Sequence, residues 1–281
     1  MKKFNTVAII GVGLIGGAFG MALLKKGLAK RVIGIGRNEK KLKLAKKLGA
    51  ISEYSLDYWI LGEADLVFLA TPVQHIEGLL ERIGPYLKAG ALVTDCGSTK
   101  EKIVATARRY LPAYVSFVGS HPVTGSEKSG VDFASAELFS GAVCVVTPCS
   151  FTDKKALGNV IKLWKALGSK IISMPPARHD KILAATSHLP HFAAAALALA
   201  VIKKDKDLRA LLGNGFKDTT RIAASNPEVW AEIALANKKN ICGSLETFLR
   251  QAGKLKAAIG SGNKNAVVKL LQAAKDGRER I

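Results

Sequence analysis

The run "TVAIIGVGLIGGAFGMALLKKG", residues 6–27, narrows the folding options of this chain more than any other feature. Val7 to Ile10 are β-type residues, Gly11, Gly13 and Gly16 then form G-x-G-x-x-G, and the pattern turns helical as far as Gly27. In a strand–turn–helix, the first glycine allows the tight turn, and the second lets backbone approach a pyrophosphate at the positive helix end. The third lets helix and strand pack closely. Gly11, Gly13 and Gly16, with Leu14 and Ile15 between them, are therefore the candidate cofactor turn. A second β-type run, "RVIGIG", follows at the interval a dinucleotide-binding unit requires. A glycine-rich turn in some other α/β protein is the competing reading.

The end of that second run selects between cofactors. An NAD site places Asp or Glu there to bond the ribose 2′-hydroxyl. Here the residues are Gly36-Arg37-Asn38, with no carboxylate before Glu39. Arg37 suits a 2′-phosphate and argues for NADP over NAD; an ordinary surface arginine at a helix start is the alternative.

The alternation continues along the chain. "ADLVFLATP" reads as a buried strand ending at Thr71-Pro72, "HIEGLLERIGPYL" as a helix, and "GALVTDCGSTKEKIVATARRYL" as strand, turn and helix. "YVSFVGSHP", "GAVCVVTP" and "SKIISMP" read as further strands, the last two separated by a helical run. Such alternation predicts a Rossmann-type, doubly wound, mainly parallel sheet over residues 1–174. Ligands of these sheets lie beyond the carboxyl ends of the strands. Ser98 and His121 are delivered there, after strands expected to end near Asp95 and Val118. Ser98 has a second reading, because "STKE" is a capping box with Ser98 as N-cap and Glu101 at N3. His121, beside Pro122 in "GSHPVTGSEKSG", is better placed for a ligand than for a core.

After Pro175-Pro176 strand character disappears, and residues 175–281 read as an all-α domain. "ARHDKILAATSHLPHFAAAALALAVIKK" is a long helical pattern that Pro190 is expected to kink. Its most apolar part, "FAAAALALAVI", falls short of the roughly 20 residues a bilayer span needs, so a domain or subunit interface is expected and a membrane partner is not. His188 and His191 share a helix face; with no third ligand in evidence, packing or hydrogen bonding near a ligand is the better reading than metal. Helical periodicity from Phe216 would put Lys217 and Arg221 on one face, with Asp218 near Arg221. That arrangement is either a carboxylate grip or a weak surface ion pair.

Lys plus Arg number 42 against 22 for Asp plus Glu, a net charge of +20. The excess favours anionic partners, but many lysines lie on helix-like runs, and no nucleic-acid motif accompanies them. Cys96, Cys144, Cys149 and Cys242 show neither C-x-x-C nor zinc spacing and read as reduced thiols of a cytoplasmic protein. The apolar run after "MKKFN" belongs to the first strand rather than to a signal peptide.

Taken in order, "GVGLIGG", "ATPV", "VTDCGSTK", "GSHPVTGSEKSG", "SHLPH" and "GFKDTTRIAASNPEVW" resemble the prephenate/arogenate dehydrogenase family over nearly the whole chain. The resemblance implies a Rossmann-type domain followed by a helical domain through which two chains dimerise. It also implies an oxidative decarboxylation of a cyclohexadiene with NAD or NADP as hydride acceptor. By the same resemblance His121 bonds the substrate 4-hydroxyl and Ser98 stands near it and the nicotinamide. Arg221 grips a substrate carboxylate, and His188, His191, Lys217, Asp218, Ser126 and Glu127 line or gate the pocket. Prephenate is expected over arogenate, on the slight ground that the basic balance suits the more anionic substrate. A β-hydroxyacid dehydrogenase using Lys217 is the nearest alternative, against which the histidine of "GSHPVTG" speaks. A non-catalytic NADP sensor or a basic nucleic-acid binder is a more distant one.

Overall fold

The computed structural model describes residues 3–124, 128–202 and 211–280. Eight strands form one sheet: β1 (Phe4–Ile10), β2 (Ala29–Ile35), β3 (Glu53–Ser55), β4 (Leu66–Leu69), β5 (Leu92–Asp95), β6 (Ser116–Val123), β7 (Val143–Thr147) and β8 (Lys170–Ser173). Their spatial order is β3-β2-β1-β4-β5-β6-β7-β8, and every pair is parallel except β6 with β7. The helices between them are α1 (Leu14–Lys25), α2 (Glu39–Lys47), α3 (Val73–Ile83), α4 (Glu101–Tyr110) and α5 (Lys154–Ala166).

Helices cover both faces of the sheet, so the central strands are apolar on both sides rather than alternating with polar residues. On one face Val7 and Ile9 of β1 join Phe19 and Leu23 of α1 and Trp164 of α5. On the other, Ala8 and Ile10 join Ile76 and Leu80 of α3 and Ile103 and Val104 of α4. Each large aliphatic chain sealed this way contributes roughly 1.5–3 kcal/mol. The chain leaves β1 in one direction for β2 and β3, and the rest of the sheet is built on the other side of β1, beginning with β4. That reversal between β1 and β4 opens the crevice in which such sheets hold a ligand.

From Pro176 the chain is helical: α6 (Pro176–Leu183), α7 (Leu189–Ile202), α8 (Asn214–Thr220), α9 (Pro227–Ala236), α10 (Lys238–Gly260) and α11 (Lys264–Glu279). Before Pro190, where a kink is expected, a π-helical turn, Ala184–His188, joins α6 to α7. Leu189 N–H donates to Ala184 O, five residues back. The widened ladder accommodates a residue without an N–H where an α-turn would clash with it. The helix consequently runs unbroken over 176–201, and an 18-residue stretch of it with mean hydropathy 1.4 makes it long and apolar enough by composition to cross a bilayer. The eleven-residue run underestimated it, because Pro190 does not end the helix. The same helix carries buried His179, Asp180, His188 and His191.

Candidate functional site

The glycine turn has the geometry each of its three positions requires. Gly11 has φ +95°, in the left-handed region, and a Cβ there would lie 2.6 Å from Ala70 O. A Cβ on Gly13 would meet nothing within 4 Å, so this backbone is open to an approaching group. A Cβ on Gly16 would fall 2.0 Å from Gly11 O. Gly13 is the N-cap of α1 and brings no side-chain cap, so the first N–H groups, at Leu14 and Ile15, keep their polarity for a ligand. Thr71, between β4 and α3, approaches the same turn; its buried Oγ1 has no partner among the described residues, and Pro72 is the N-cap of α3. An open glycine, an uncapped helix end and an orphaned hydroxyl at the β1/β4 crevice together fit a dinucleotide.

At the end of β2, Arg37 is exposed, and Asn38 caps α2 by accepting from Lys41 N at 3.1 Å. Glu39 is turned to Lys43 and to the Tyr54 hydroxyl, each at 3.1 Å, and its carboxyl is held below its usual range chiefly by the Lys43 bond. The next carboxylate in the sequence is thus committed elsewhere, while Arg37 bonds to no described residue.

Sequence reasoning placed His121 after the end of its strand; it is instead within β6. The parallel register of β5 with β6 stops at Thr94 opposite Val118, and β6 continues to Val123 paired only with β7. The antiparallel partner prolongs the strand, so His121 stands beyond the carboxyl end of β5. Ser98 follows β5, but the capping box does not form: α4 begins at Glu101 with no cap from its own preceding side chains. The Asp180 carboxylate of α6 takes that place, accepting from Lys100 N at 2.7 Å and Glu101 N at 3.0 Å. Ser98 Oγ bonds to no described residue.

His121 is 8% exposed, and its Nδ1 lies 2.9 Å from His179 Nε2. His179 Nδ1 in turn lies 2.7 Å from Asp180 Oδ1. Burial, then His179 and Lys100 nearby, pushes His121 well below the usual histidine range. Burial lowers His179 too, outweighing the Asp180 hydrogen bond that opposes it. Beneath these rings Lys100 and Asp95 form a fully buried ion pair, with Lys100 Nζ also donating to Ser120 O at 3.0 Å. Asp95 accepts from Gly97 N at 2.9 Å and Ser120 N at 3.2 Å, tying together the ends of β5 and β6.

On the helical side, Asn237 Nδ2 donates to Asp180 O at 2.7 Å and lies 3.4 Å from His188 Nδ1. An accepting Nδ1 leaves His188 Nε2 carrying the proton, a donor suited to a carboxylate or carbonyl. Burial lowers His188 to about 4. His191 stacks on Trp230 with centroids 3.5 Å apart; its Nδ1 is buried without a partner among the described residues, and burial lowers its pKa. Lys217 and Asp218 lie on α8, and Arg221 opens the 3-10 turn that follows; all three are exposed. Asp218 and Arg221 form no ion pair, so the weak surface bridge is absent. Ser126 and Glu127 lie outside the described residues.

The sequence reading missed His179, Asp180, Asn237, Trp230 and the Asp95–Lys100 pair. A signal existed for two of them. His179 and Asp180 each stand four residues before an apolar position, Leu183 and Ala184, and so share its buried face. A cavity of about 980 Å³ between α4, α6 and α10 is lined by Lys102, Asp180, Asn237 and Cys242 among others, and holds none of the candidates named from sequence.

A family model described as prephenate dehydrogenase, nucleotide-binding domain, matches residues 19–173, and one described as prephenate dehydrogenase, dimerization domain, matches 175–273. The chain is 35% identical to a prephenate dehydrogenase of Bacillus subtilis over 99% of its own length and 76% of that protein. Among solved structures it is similar to A. aeolicus prephenate dehydrogenase in complex with hydroxyphenyl propionate and NAD+ (TM-score 0.92, 34% identity, 98% of each chain). It is also similar to Synechocystis arogenate dehydrogenase, with TM-score 0.85 and 32% identity over 98% of this chain and 99% of that one.

Proposed function

This chain belongs to the prephenate dehydrogenase family of NAD(P)-dependent oxidoreductases, and on that footing we propose that it converts prephenate to 4-hydroxyphenylpyruvate and CO₂, with NADP the favoured hydride acceptor. The observation that carries the reading is a buried histidine, His121, standing past the carboxyl end of β5 with one ring nitrogen committed to His179. Ser98 and His121 act at the 4-hydroxyl, and Arg221 grips a carboxylate with Lys217 nearby. His188, His191, Asp218, Ser126 and Glu127 complete the pocket.

The bound cofactor supplies the hydride acceptor. His121 takes the 4-hydroxyl proton as the C4 hydride departs, and the O–H electron pair becomes a carbonyl. Loss of CO₂ from the ring carboxylate returns that pair to oxygen as a phenolate, which recovers the proton from His121. No net proton is released, and aromatisation drives the step. A neutral histidine is the base this requires near pH 7.

Support for NADP comes from Arg37 and from the engagement of Glu39 by Lys43 and Tyr54. The division into residues 1–174 and 175–281 agrees with the passage to all-helical structure after β8. Exposed apolar residues of the helical half, among them Leu199, Leu235, Leu249, Ile259, Val268 and Leu271, support a homodimer; a second copy, rather than lipid, covers α7. The four free thiols accord with a cytoplasmic setting.

Absorbance at 340 nm with prephenate or arogenate, each with NADP or NAD, tests the reading. The prephenate–NADP pair is expected to give the highest kcat/KM. Arg37→Ala is expected to raise the KM for NADP ~10-fold or more, the scale of a lost charge-assisted hydrogen bond. An NAD preference removes the cofactor assignment, and an arogenate preference removes the substrate assignment.

A further inference from the structure

We infer that His179 and Asp180 are positioning residues that fix the tautomer of His121, so that its Nε2 bears the lone pair offered to the substrate hydroxyl. The inference rests on the reaction proposed above only for the identity of that hydroxyl.

Asp180 sets the polarity of the row. Its two oxygens accept backbone N–H groups from Lys100 and Glu101 at the start of α4, where the helix favours a negative charge. A carboxylate in that state can only accept, so the 2.7 Å contact requires a proton on His179 Nδ1. Neutral imidazole carries one N–H, so His179 Nε2 is an acceptor. The 2.9 Å contact then requires the proton of His121 on Nδ1. His121 Nε2 is left unprotonated, and it bonds to no described residue. The opposite polarity would present an Nε2–H to the substrate, and a donor cannot remove the hydroxyl proton. When His121 accepts that proton, its Nδ1–H points along a row of groups that ends on the Asp180 carboxylate; the proton later returns to the phenolate oxygen.

Burial makes the order strict. His179 is fully buried, so no water replaces either neighbour. Asp180 itself is placed by the turn of α6 and by Asn237 Nδ2, which bonds its carbonyl at 2.7 Å.

The test is ¹⁵N spectroscopy of histidine-labelled protein at pH 7.5, with His121 assigned by its loss in His121→Asn, alongside kinetics. The wild-type chain is expected to show His121 protonated on Nδ1. In Asp180→Ala the acceptor of the His179 Nδ1 proton is gone, the order of the two rings is no longer set, and the His121 proton is expected to spread over both nitrogens. His179→Leu removes the acceptor and is expected to lower kcat ~10²-fold while KM changes less than about threefold. His179→Gln sets an amide oxygen near the position of Nε2 and is expected to keep the Nδ1 tautomer and recover most of kcat. Wild-type His121 protonated on Nε2 overturns the inference without any variant. A folded His179→Leu protein with wild-type kcat overturns it as well. If the wild-type chain turns over neither prephenate nor arogenate, the proposed reaction fails, and the spectra alone decide the tautomer.

Discussion

His121 and Arg221 ask different things of their surroundings. The histidine is buried and hydrogen-bonded through one nitrogen, whereas Arg221 is exposed and pairs with no carboxylate among the described residues. A proton acceptor acts in the transition state, so His121→Asn is expected to lower kcat by ~10²–10⁴ with little change in substrate binding. An arginine that holds a carboxylate binds ground and transition states alike, so Arg221→Ala should mainly raise KM. Steady-state kinetics separate the two; an unchanged kcat in the first variant, or an unchanged KM in the second, removes that residue from its role. His121 was legible in the sequence because it stands in a glycine-rich segment at a strand end. His179 was not, because its partner lies 58 residues away and only packing of α6 against the sheet edge brings the two rings together.

At the scale of elements, the site is a junction of two carboxyl-terminal strand ends, β5 and β6, with the start of one helix. Lys100 and Asp95 sit at that junction, fully buried, and bind β5, β6 and the entry to α4 through the Ser120 and Gly97 backbone. Removing one member of a buried ion pair leaves the other charge uncompensated, at a cost of roughly 3–5 kcal/mol. Lys100→Met is therefore expected to lower unfolding free energy by about that amount in urea titration; a loss below about 1 kcal/mol would show that the pair does not hold the junction. The strand–turn–helix order was legible because a parallel sheet covered on both faces writes continuous apolar runs into the sequence. The π-turn was not. In an ideal α-helix the nine steps from His179 to His188 make about two and a half turns, which puts these side chains on opposite faces. The wider turn changes that phase, and Asn237 reaches both the Asp180 carbonyl and His188. Proline at 190 signals a disturbed helix, but it does not say that the disturbance takes the form of a wider turn packed on α10.

Across the whole molecule, four of the five histidines are buried with their pKa lowered: His121, His179, His188 and His191. Burial is the leading cause in each, so the fold holds these rings neutral. Below the unfolded value of 6.5 the unfolded chain binds protons that the native chain refuses, and stability then falls with pH. For His188 the loss is spread between 6.5 and about 4, and at 1.36 kcal/mol per unit it amounts to roughly 3 kcal/mol. His121, His179 and His191 add to the same slope. Carboxylates act in a different window: Asp65, with its pKa lowered from 3.8, contributes only as the pH approaches that value. Urea unfolding at pH 8, 6.5, 5.5 and 4.5 should therefore show a plateau above 6.5 and a decline of several kcal/mol below it. The acid limb of kcat/KM should likewise fall below 6.5, since a depressed His121 stays a competent base into mildly acidic solution. Stability that stays level from pH 8 to 4.5 would mean that the rings charge freely in the native state. That would be incompatible with the sealed row from His121 to Asp180 on which the polarity of the site depends.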